Sequence, residues 1–207
     1  LPNIVEESEL ATANALDAAT WSTALATGAF LGGLVVAKYG VDVAFVIDSA
    51  TFLIGALILI PLRIPQKVSD EMRGPIFKTA YGNIKAGFVR LISEPRLKRI
   101  VFAKTTWNLA GGGLAGVFLV IAGSRMSPGE MAAGIGLFFM ARGIGTGIGP
   151  IIARKYLVNK NRWPALVGIL VSVSGFFYLL IGLTLFENLY LTLILIVLAH
   201  SASGANW

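Results

Sequence analysis

The sequence predicts an all-α protein, a polytopic bundle of transmembrane helices. Of its 207 residues, 56% are hydrophobic and only 14% are charged, and the mean hydropathy is +0.76. A soluble domain carries about 25% charged residues, so this chain has too few for a fold surrounded by water. Its apolar residues are also gathered in runs of roughly 20, the length that a helix needs to cross a bilayer.

Six such runs follow one another along the chain. The predicted spans are residues 15–37, 41–62, 100–122, 131–153 and 163–186, and a sixth that begins at Leu189. Of the 17 Lys and Arg residues, nine lie in residues 63–99 and four in residues 154–162. Because positive residues accumulate in cytoplasmic loops, we expect both segments on the cytoplasmic side of the cell inner membrane. The net charge of +6 is thereby explained by topology and requires no nucleic-acid partner.

The segment 63–99 divides the chain into two groups of spans. We expect residues 1–62 to close one bundle with two spans, and residues 100–207 to begin a second bundle with about four. Within the linker, an apolar residue recurs at steps of four, three, four and three, which predicts an amphipathic helix. Its basic residues favour contact with the anionic inner leaflet, although packing beneath the bundle is also compatible. The apolar positions are Phe77, Tyr81, Ile84, Phe88 and Leu91.

The run ARGIGTGIGP places a glycine at every second position after Arg142. It does not satisfy the G-x-G-x-x-G pattern of a phosphate-binding turn, and it lies inside an apolar span rather than after a strand. We therefore interpret the glycines as a surface for close helix packing, which is either static or moves during function. Glycines spaced by four are Gly28 and Gly32, Gly112 and Gly116, Gly143 and Gly147, and Gly145 and Gly149.

Polar side chains within the spans are the candidate functional residues, because a charge in hydrocarbon is costly. Arg142 lies near the middle of its span and is expected either to meet an anionic substrate or a carboxylate in a water-filled cavity, or to form a structural ion pair. Asp17, near the inner end of its span, serves gating or protonation, or caps the helix. His200 either takes part in transport chemistry or forms a structural hydrogen bond, and Asp48 is expected to be a structural hydrogen-bonding group.

The stretch LPNIVEESELATANAL followed by GAFLGGLVVAKYGVDVAFVIDSATFLIGAL resembles the middle of a major facilitator superfamily transporter. The bacterial drug, macrolide and siderophore exporter branch is the most similar. The resemblance implies that the chain covers about helices five to ten of twelve, so that the first four and the last two helices are expected outside it. It also implies that the span with Trp107 and Asn108 borders the central cavity. An aromatic side chain beside an amide suits a bulky amphipathic substrate, although contacts with lipid or with another helix also account for Trp107.

The same resemblance implies a function, which is export of small hydrophobic or amphipathic molecules by alternating access, with protons as the coupling ion. One departure concerns the G-P-x-x-G-G motif of antiporters, in which Ala29 replaces the proline while Gly28, Gly32 and Gly33 remain. The helix-packing role of the motif is retained, but its proline kink is lost.

Enzymatic and metal-binding functions find no support in the sequence. The chain has no cysteine and one histidine, which leaves no thiolate or multi-histidine metal site. It also lacks the G-x-x-x-x-G-K-[ST], G-x-S-x-G and H-E-x-x-H motifs. We therefore expect no enzyme, no metal and no cofactor. Two alternatives to drug export are a lipid or lysolipid flippase of the same fold, and a polytopic scaffold or sensor that transports nothing.

Overall fold

The computed structural model describes residues 5–62, 76–109, 116–117, 120–121, 130–156 and 162–205. These residues form helices and turns, with no strand among them, which confirms the predicted all-α class. A short 3-10 turn at Glu7–Glu9 precedes seven α-helices in the described part of the chain. These are α1 (Leu10–Tyr39), α2 (Val41–Leu59), α3 (Ile76–Ser93), α4 (Pro95–Trp107), α5 (Met131–Tyr156), α6 (Trp163–Thr184) and α7 (Leu189–Gly204).

Four of the described helices contain a segment long and apolar enough to cross a membrane. These segments correspond to the first, second, fourth and fifth predicted spans, and they are Thr12–Tyr39, Val41–Leu59, Met131–Ala153 and Trp163–Thr184. Helix α7 is also apolar, but its 16 residues extend only about 24 Å. The third predicted span begins in α4, and most of its second half lies outside the described residues.

Helix α2 presents its apolar side chains outward. It contains no buried residue, and Phe52 is 73% exposed. Its main described neighbour is α1, which it follows after one residue, Gly40. The positive φ of Gly40, 86°, makes that sharp reversal accessible to glycine. A helix with this much uncovered apolar surface is suited to lipid or to other apolar helices and not to water.

Helices α1 and α5 cross at small residues. A Cβ atom added to Gly143 would lie 2.7 Å from the Cα of Ala26, and one added to Gly33 would lie 3.0 Å from the Cα of Gly136. The partner in α5 moves from residue 143 to 136 as the position in α1 moves from 26 to 33, so the two helices run antiparallel. At these positions only a hydrogen atom fits between the two backbones.

The other face of α5 packs just as closely against α7. A Cβ atom on Gly145 would touch the carbonyl oxygen of Val197, and one on Gly149 would lie 2.6 Å from the amide nitrogen of Ala205. Here the partner number rises along both helices, so they run parallel. Residues two apart on a helix are turned by about 200°. The two interleaved glycine pairs therefore serve two different neighbours, α1 for Gly143 and its partner, and α7 for Gly145 and its partner.

The glycine pair predicted in α1 does not make this contact among the described residues. A Cβ atom on Gly28 or Gly32 would meet no atom within 4 Å. The face that meets α5 carries Gly33 instead, since one residue along a helix turns the side chain by about 100°. Gly116 is likewise open, and Gly112 lies outside the described residues.

A tightly packed core joins α5, α6 and α7. Helices α6 and α7 form an antiparallel hairpin, and the side-chain oxygen of Asn188 accepts a 3.0 Å hydrogen bond from the amide of Leu191 at the start of α7. Across the hairpin, the Thr192 hydroxyl donates to that of Thr184 at 3.1 Å. The buried residues of the core are Phe138, Ala141, Ile181, Leu185, Leu195, Ile196 and Ala199. This core holds α7 beside α5.

Helix α3 is the amphipathic helix that the linker sequence predicts. Within the described chain it packs only on α4 to any extent. Its apolar face is uncovered there: Phe77 is 91% exposed, and Tyr81, Ile84 and Phe88 are exposed as well. Lys78 and other basic residues lie on the same helix, which suits an anionic lipid surface.

Replacing Gly136 with alanine is expected to destabilise the protein by about 1–3 kcal/mol, because overpacking forces backbones apart. Its Cβ would lie 2.6 Å from the carbonyl oxygen of Ala29 and 3.1 Å from the Cα of Gly33, and both are backbone atoms. Gly28→Ala is the matched control on α1, where the space is open. Unfolding of both variants in detergent measures the difference, and equal stabilities would contradict the close contact.

The absence of cysteine makes Ile84→Cys a unique site for a spin label. If α3 lies on the bilayer, a label there should collide more with dissolved oxygen than with a water-soluble nickel chelate. A label at Ala86→Cys, an exposed position about 200° around the helix from Ile84, should show the reverse. A label at residue 84 that is immobilised and shielded from both reagents would instead place α3 against protein.

Candidate functional site

A cavity of about 660 Å³ lies between four helices of the bundle. Its volume is within the range of about 300–1,000 Å³ that small-molecule sites occupy. Helices α1, α5 and α7 supply three of its walls, and the end of α4 supplies the fourth. The lining residues are Asn14, Asp17, Ala18, Trp21, Ser22, Trp107, Asn108, Arg142, Thr146, Pro150, His200 and Ser203.

The structure brings all five substrate-binding or coupling candidates from the sequence to this one cavity. Arg142 comes from α5, Asp17 from α1 and His200 from α7, while Trp107 ends α4 and Asn108 follows it. These residues lie in four different predicted spans, so no local pattern in the sequence joins them. Their roles in binding or coupling stay predictions, but their common location is a property of the fold.

Arg142 lies at the middle depth of the bundle. The next residue, Gly143, contacts Ala26, and both are central in their apolar segments, Met131–Ala153 and Thr12–Tyr39. From this depth the cavity extends toward the N-terminal end of α1.

Asn14, at the far end of the cavity, precedes Ala26 by twelve residues, which is about 18 Å along the helix. Because α5 runs antiparallel to α1, the C-terminal part of α5, including Pro150, bounds the same end. Pro150 has no amide hydrogen, so the carbonyl of Thr146 lacks its usual helical donor.

The guanidinium of Arg142 has no acidic neighbour at ion-pair distance within the described chain. Its aromatic neighbour there is Phe139 in the preceding turn, whose ring centre lies 5.8 Å from the guanidinium carbon. That arrangement is a weak cation–π contact. Arg142 is half-buried. It therefore brings a positive charge to the cavity that the described side chains do not neutralise by direct contact.

His200 is held firmly in the wall. The residue is only 1% exposed, and its Nε2 atom lies 2.5 Å from the hydroxyl of Tyr178 on α6. The rings of Tyr178 and Trp107 both meet the imidazole edge to face, with centroids 5.7 and 6.3 Å away. The sequence left two roles open for His200, a structural hydrogen bond and a part in transport chemistry. The structure contains the hydrogen bond, and the part in transport chemistry stays a prediction.

The indole of Trp107 is fixed by the same cluster. Its Nε1 donates to the hydroxyl of Ser174 at 3.4 Å, and its edge contact with His200 restrains the ring plane. Trp21, from α1, is 57% exposed and lines another part of the cavity. Two indoles therefore offer flat apolar surfaces in one cavity. The ring of Trp107 is already held in one orientation by its contacts with Ser174 and His200.

Ser22 contributes a polar atom that no described residue satisfies. Its side chain is 3% exposed, and its hydroxyl oxygen has no hydrogen-bond partner in the described part of the chain. A buried hydroxyl without a partner costs free energy. Ser22 therefore places a buried polar atom with an unused hydrogen-bonding capacity beside the cavity.

Asp48 takes no part in the cavity. It lies on α2 and is exposed. Its backbone carbonyl accepts a 2.7 Å hydrogen bond from the Thr51 hydroxyl, but its carboxylate makes no hydrogen bond or ion pair within the described residues. The structural hydrogen bond expected from the sequence is therefore not seen there.

Several lining residues were missed in the sequence, although helical spacing points to most of them. Thr146 and Pro150 follow Arg142 at steps of four, which places them on its face of α5. Asn14 and Trp21 stand in the same relation to Asp17, three residues before it and four after. Ser174 and Tyr178, which hold the tryptophan and histidine, have no such signal because they come from a different helix, α6.

The chain matches a family model described as Major Facilitator Superfamily over residues 1–207, its whole length. No curated protein and no solved structure matches it. The match bears out the resemblance at the level of the superfamily, while the drug, macrolide and siderophore exporter branch stays a prediction.

Removing the hydroxyl of Tyr178 is expected to loosen the wall of the cavity. Tyr178→Phe leaves a ring nitrogen of buried His200 without its partner and should cost about 1–3 kcal/mol of stability. The control is Tyr190→Phe on α7, where the side chain is 79% exposed. Thermal unfolding in detergent compares them, and a Tyr178→Phe protein as stable as the control would show that the hydrogen bond contributes nothing.

Proposed function

We propose that this chain, which belongs to the major facilitator superfamily and is a multi-pass membrane transporter, exports small hydrophobic or amphipathic molecules by alternating access. The single observation that carries the proposal is the cavity at mid-membrane depth, shared by α1 and by α4, α5 and α7. Transporter sites of this kind lie near the bilayer midplane, between groups of helices that move against each other.

The helices around the cavity come from both sides of the linker. Helix α1 belongs to residues 1–62, whereas α5, α7 and the cavity-lining end of α4 belong to residues 100–207. The close contact between α1 and α5 therefore crosses the boundary between the two proposed bundles. Small residues on both helices leave a smooth surface there, and such a surface supports sliding or rocking without interlocked side chains.

The cavity faces the side that we assign to the cytoplasm. It extends from Arg142 toward the N-terminal end of α1 and the C-terminal part of α5. Helix α5 leads there into the basic segment 154–162, which we assign to the cytoplasm from its positive charge. A cavity open to that side loads substrate from the cell interior, which is the first step of an export cycle, and the direction of net transport then follows from the proposed coupling to protons.

Proton coupling requires a group that binds protons differently in the inward-open and outward-open states. Asp17 is the candidate that suits this role, because it lines the cavity and is exposed. His200 suits it less, since its ring nitrogen is engaged by Tyr178 and the residue is buried.

Following the resemblance, we assign four further helices before this chain and two after it to the complete bundle.

The coupling proposal is tested with Asp17→Asn in reconstituted vesicles. The parent protein should concentrate a hydrophobic dye against its gradient when a pH difference is imposed. The variant should lose that concentration by about tenfold or more while still equilibrating the dye, because it retains the cavity but lacks the carboxylate that we propose for coupling. Asp42→Asn in the first turn of α2, away from the cavity, is the matched control.

Two outcomes would contradict the proposal. Unchanged accumulation by Asp17→Asn would remove Asp17 from coupling. Transfer of labelled lysolipid between leaflets, without accumulation of any dye in a panel of hydrophobic drugs, would identify the protein as a lipid flippase.

A further inference from the structure

The positive charge of Arg142 has no acidic partner at ion-pair distance among the described residues. A charge at mid-membrane depth is costly unless it is paired or reaches water. Arg142 is half-buried and faces the cavity, and its partner among the described side chains is the ring of Phe139. A molecule that brings a negative charge into the cavity would form charge-assisted hydrogen bonds with the guanidinium.

Asp17, the acidic residue of this cavity, is placed too far along α1 to satisfy Arg142 directly. Ala26 marks the level of Arg142, because it contacts Gly143. Asp17 is nine residues earlier in α1, a distance of about 13 Å along the helix axis. The two charges therefore define separate ends of the cavity, with the positive charge at the deep end.

The walls of the cavity suit flat apolar groups. Trp107 is held in place by Ser174 and His200, and Trp21 exposes more than half of its surface. Indole faces pack well against other aromatic rings, in offset or edge-on arrangements.

We propose that this cavity selects organic anions that carry an aromatic ring system, with Arg142 binding the anionic group and Trp107 and Trp21 holding the rings. The proposal rests on the proposed transport function and names its substrate class. It favours an aromatic sulfonate or carboxylate over the neutral molecule of the same shape, and over an aromatic cation, which Arg142 repels.

Two dyes with the same ring system test this selectivity. Anilinonaphthalene sulfonate carries one negative charge, and phenylnaphthylamine is its neutral counterpart. Binding to the purified protein in nanodiscs of neutral lipid is measured for both, by fluorescence. We expect the protein to bind the sulfonate at least about tenfold more tightly, since a charge-assisted contact in a partly buried site is stronger than a neutral one.

The variants locate that preference at one residue. Arg142→Gln should reduce the preference to within about threefold and leave the affinity for the neutral dye unchanged, which also shows that the cavity is still folded. Arg142→Lys should retain part of the preference, because lysine keeps the charge and loses the planar fork. Arg99→Gln is the matched control, on an exposed position of α4.

Three outcomes would overturn the proposal: equal affinities in the parent protein, a preference that persists in Arg142→Gln, or tighter binding of the cation naphthylmethylamine. Failure of the transport function is recognised separately. In that case the sulfonate preference and its loss in Arg142→Gln would still be measured, and would support this proposal, while neither dye would be moved by a pH gradient.

Discussion

Backbone contact along α5 is the constraint on which the rest of this structure depends. Side chains are missing from two nearly opposite faces of that helix, so α1 approaches from one side and α7 from the other, each to a distance that a single methyl group would obstruct. Close packing of this kind replaces the hydrophobic effect as the main attraction between helices in a membrane, because lipid is as apolar as the side chains. The buried cluster of α5, α6 and α7 then adds ordinary side-chain packing on one side of α5 only.

The cavity follows from this packing. Where α1 and α7 are drawn against α5, their polar residues and the end of α4 face one another across a space that the small contact residues leave unfilled. Arg142 sits one residue before the first of the four alternating glycines, so it is turned by about 100° from the contact with α1 and lies nearer the side that meets α7, where it lines that space. The glycines allow the helices to pack closely, and Arg142 supplies the positive charge in the cavity that lies between them.

The two sides of the cavity differ in how firmly they are held. On the side of α4, α6 and α7, His200, Tyr178, Trp107 and Ser174 form a linked set of hydrogen bonds and edge-on ring contacts. On the side of α1, Asp17 and Trp21 are exposed, and Ser22 has no hydrogen-bond partner among the described residues.

The sequence by itself determined the fold class, the positions of the long helices and the residue types that could serve a site. Apolar runs of bilayer length and the high cost of a buried charge are local properties, so Arg142, Asp17 and His200 stand out within their spans, and the family resemblance adds Trp107 and Asn108. The tertiary structure alone decided which glycines make contact, since Gly33 and not Gly28 or Gly32 faces α5. It alone also decided that the five candidates share one cavity and that Tyr178 is the partner of His200. The physical reason is that the periodicity of a sequence predicts which residues share a face of one helix. Which other helix that face contacts depends on how several helices pack together.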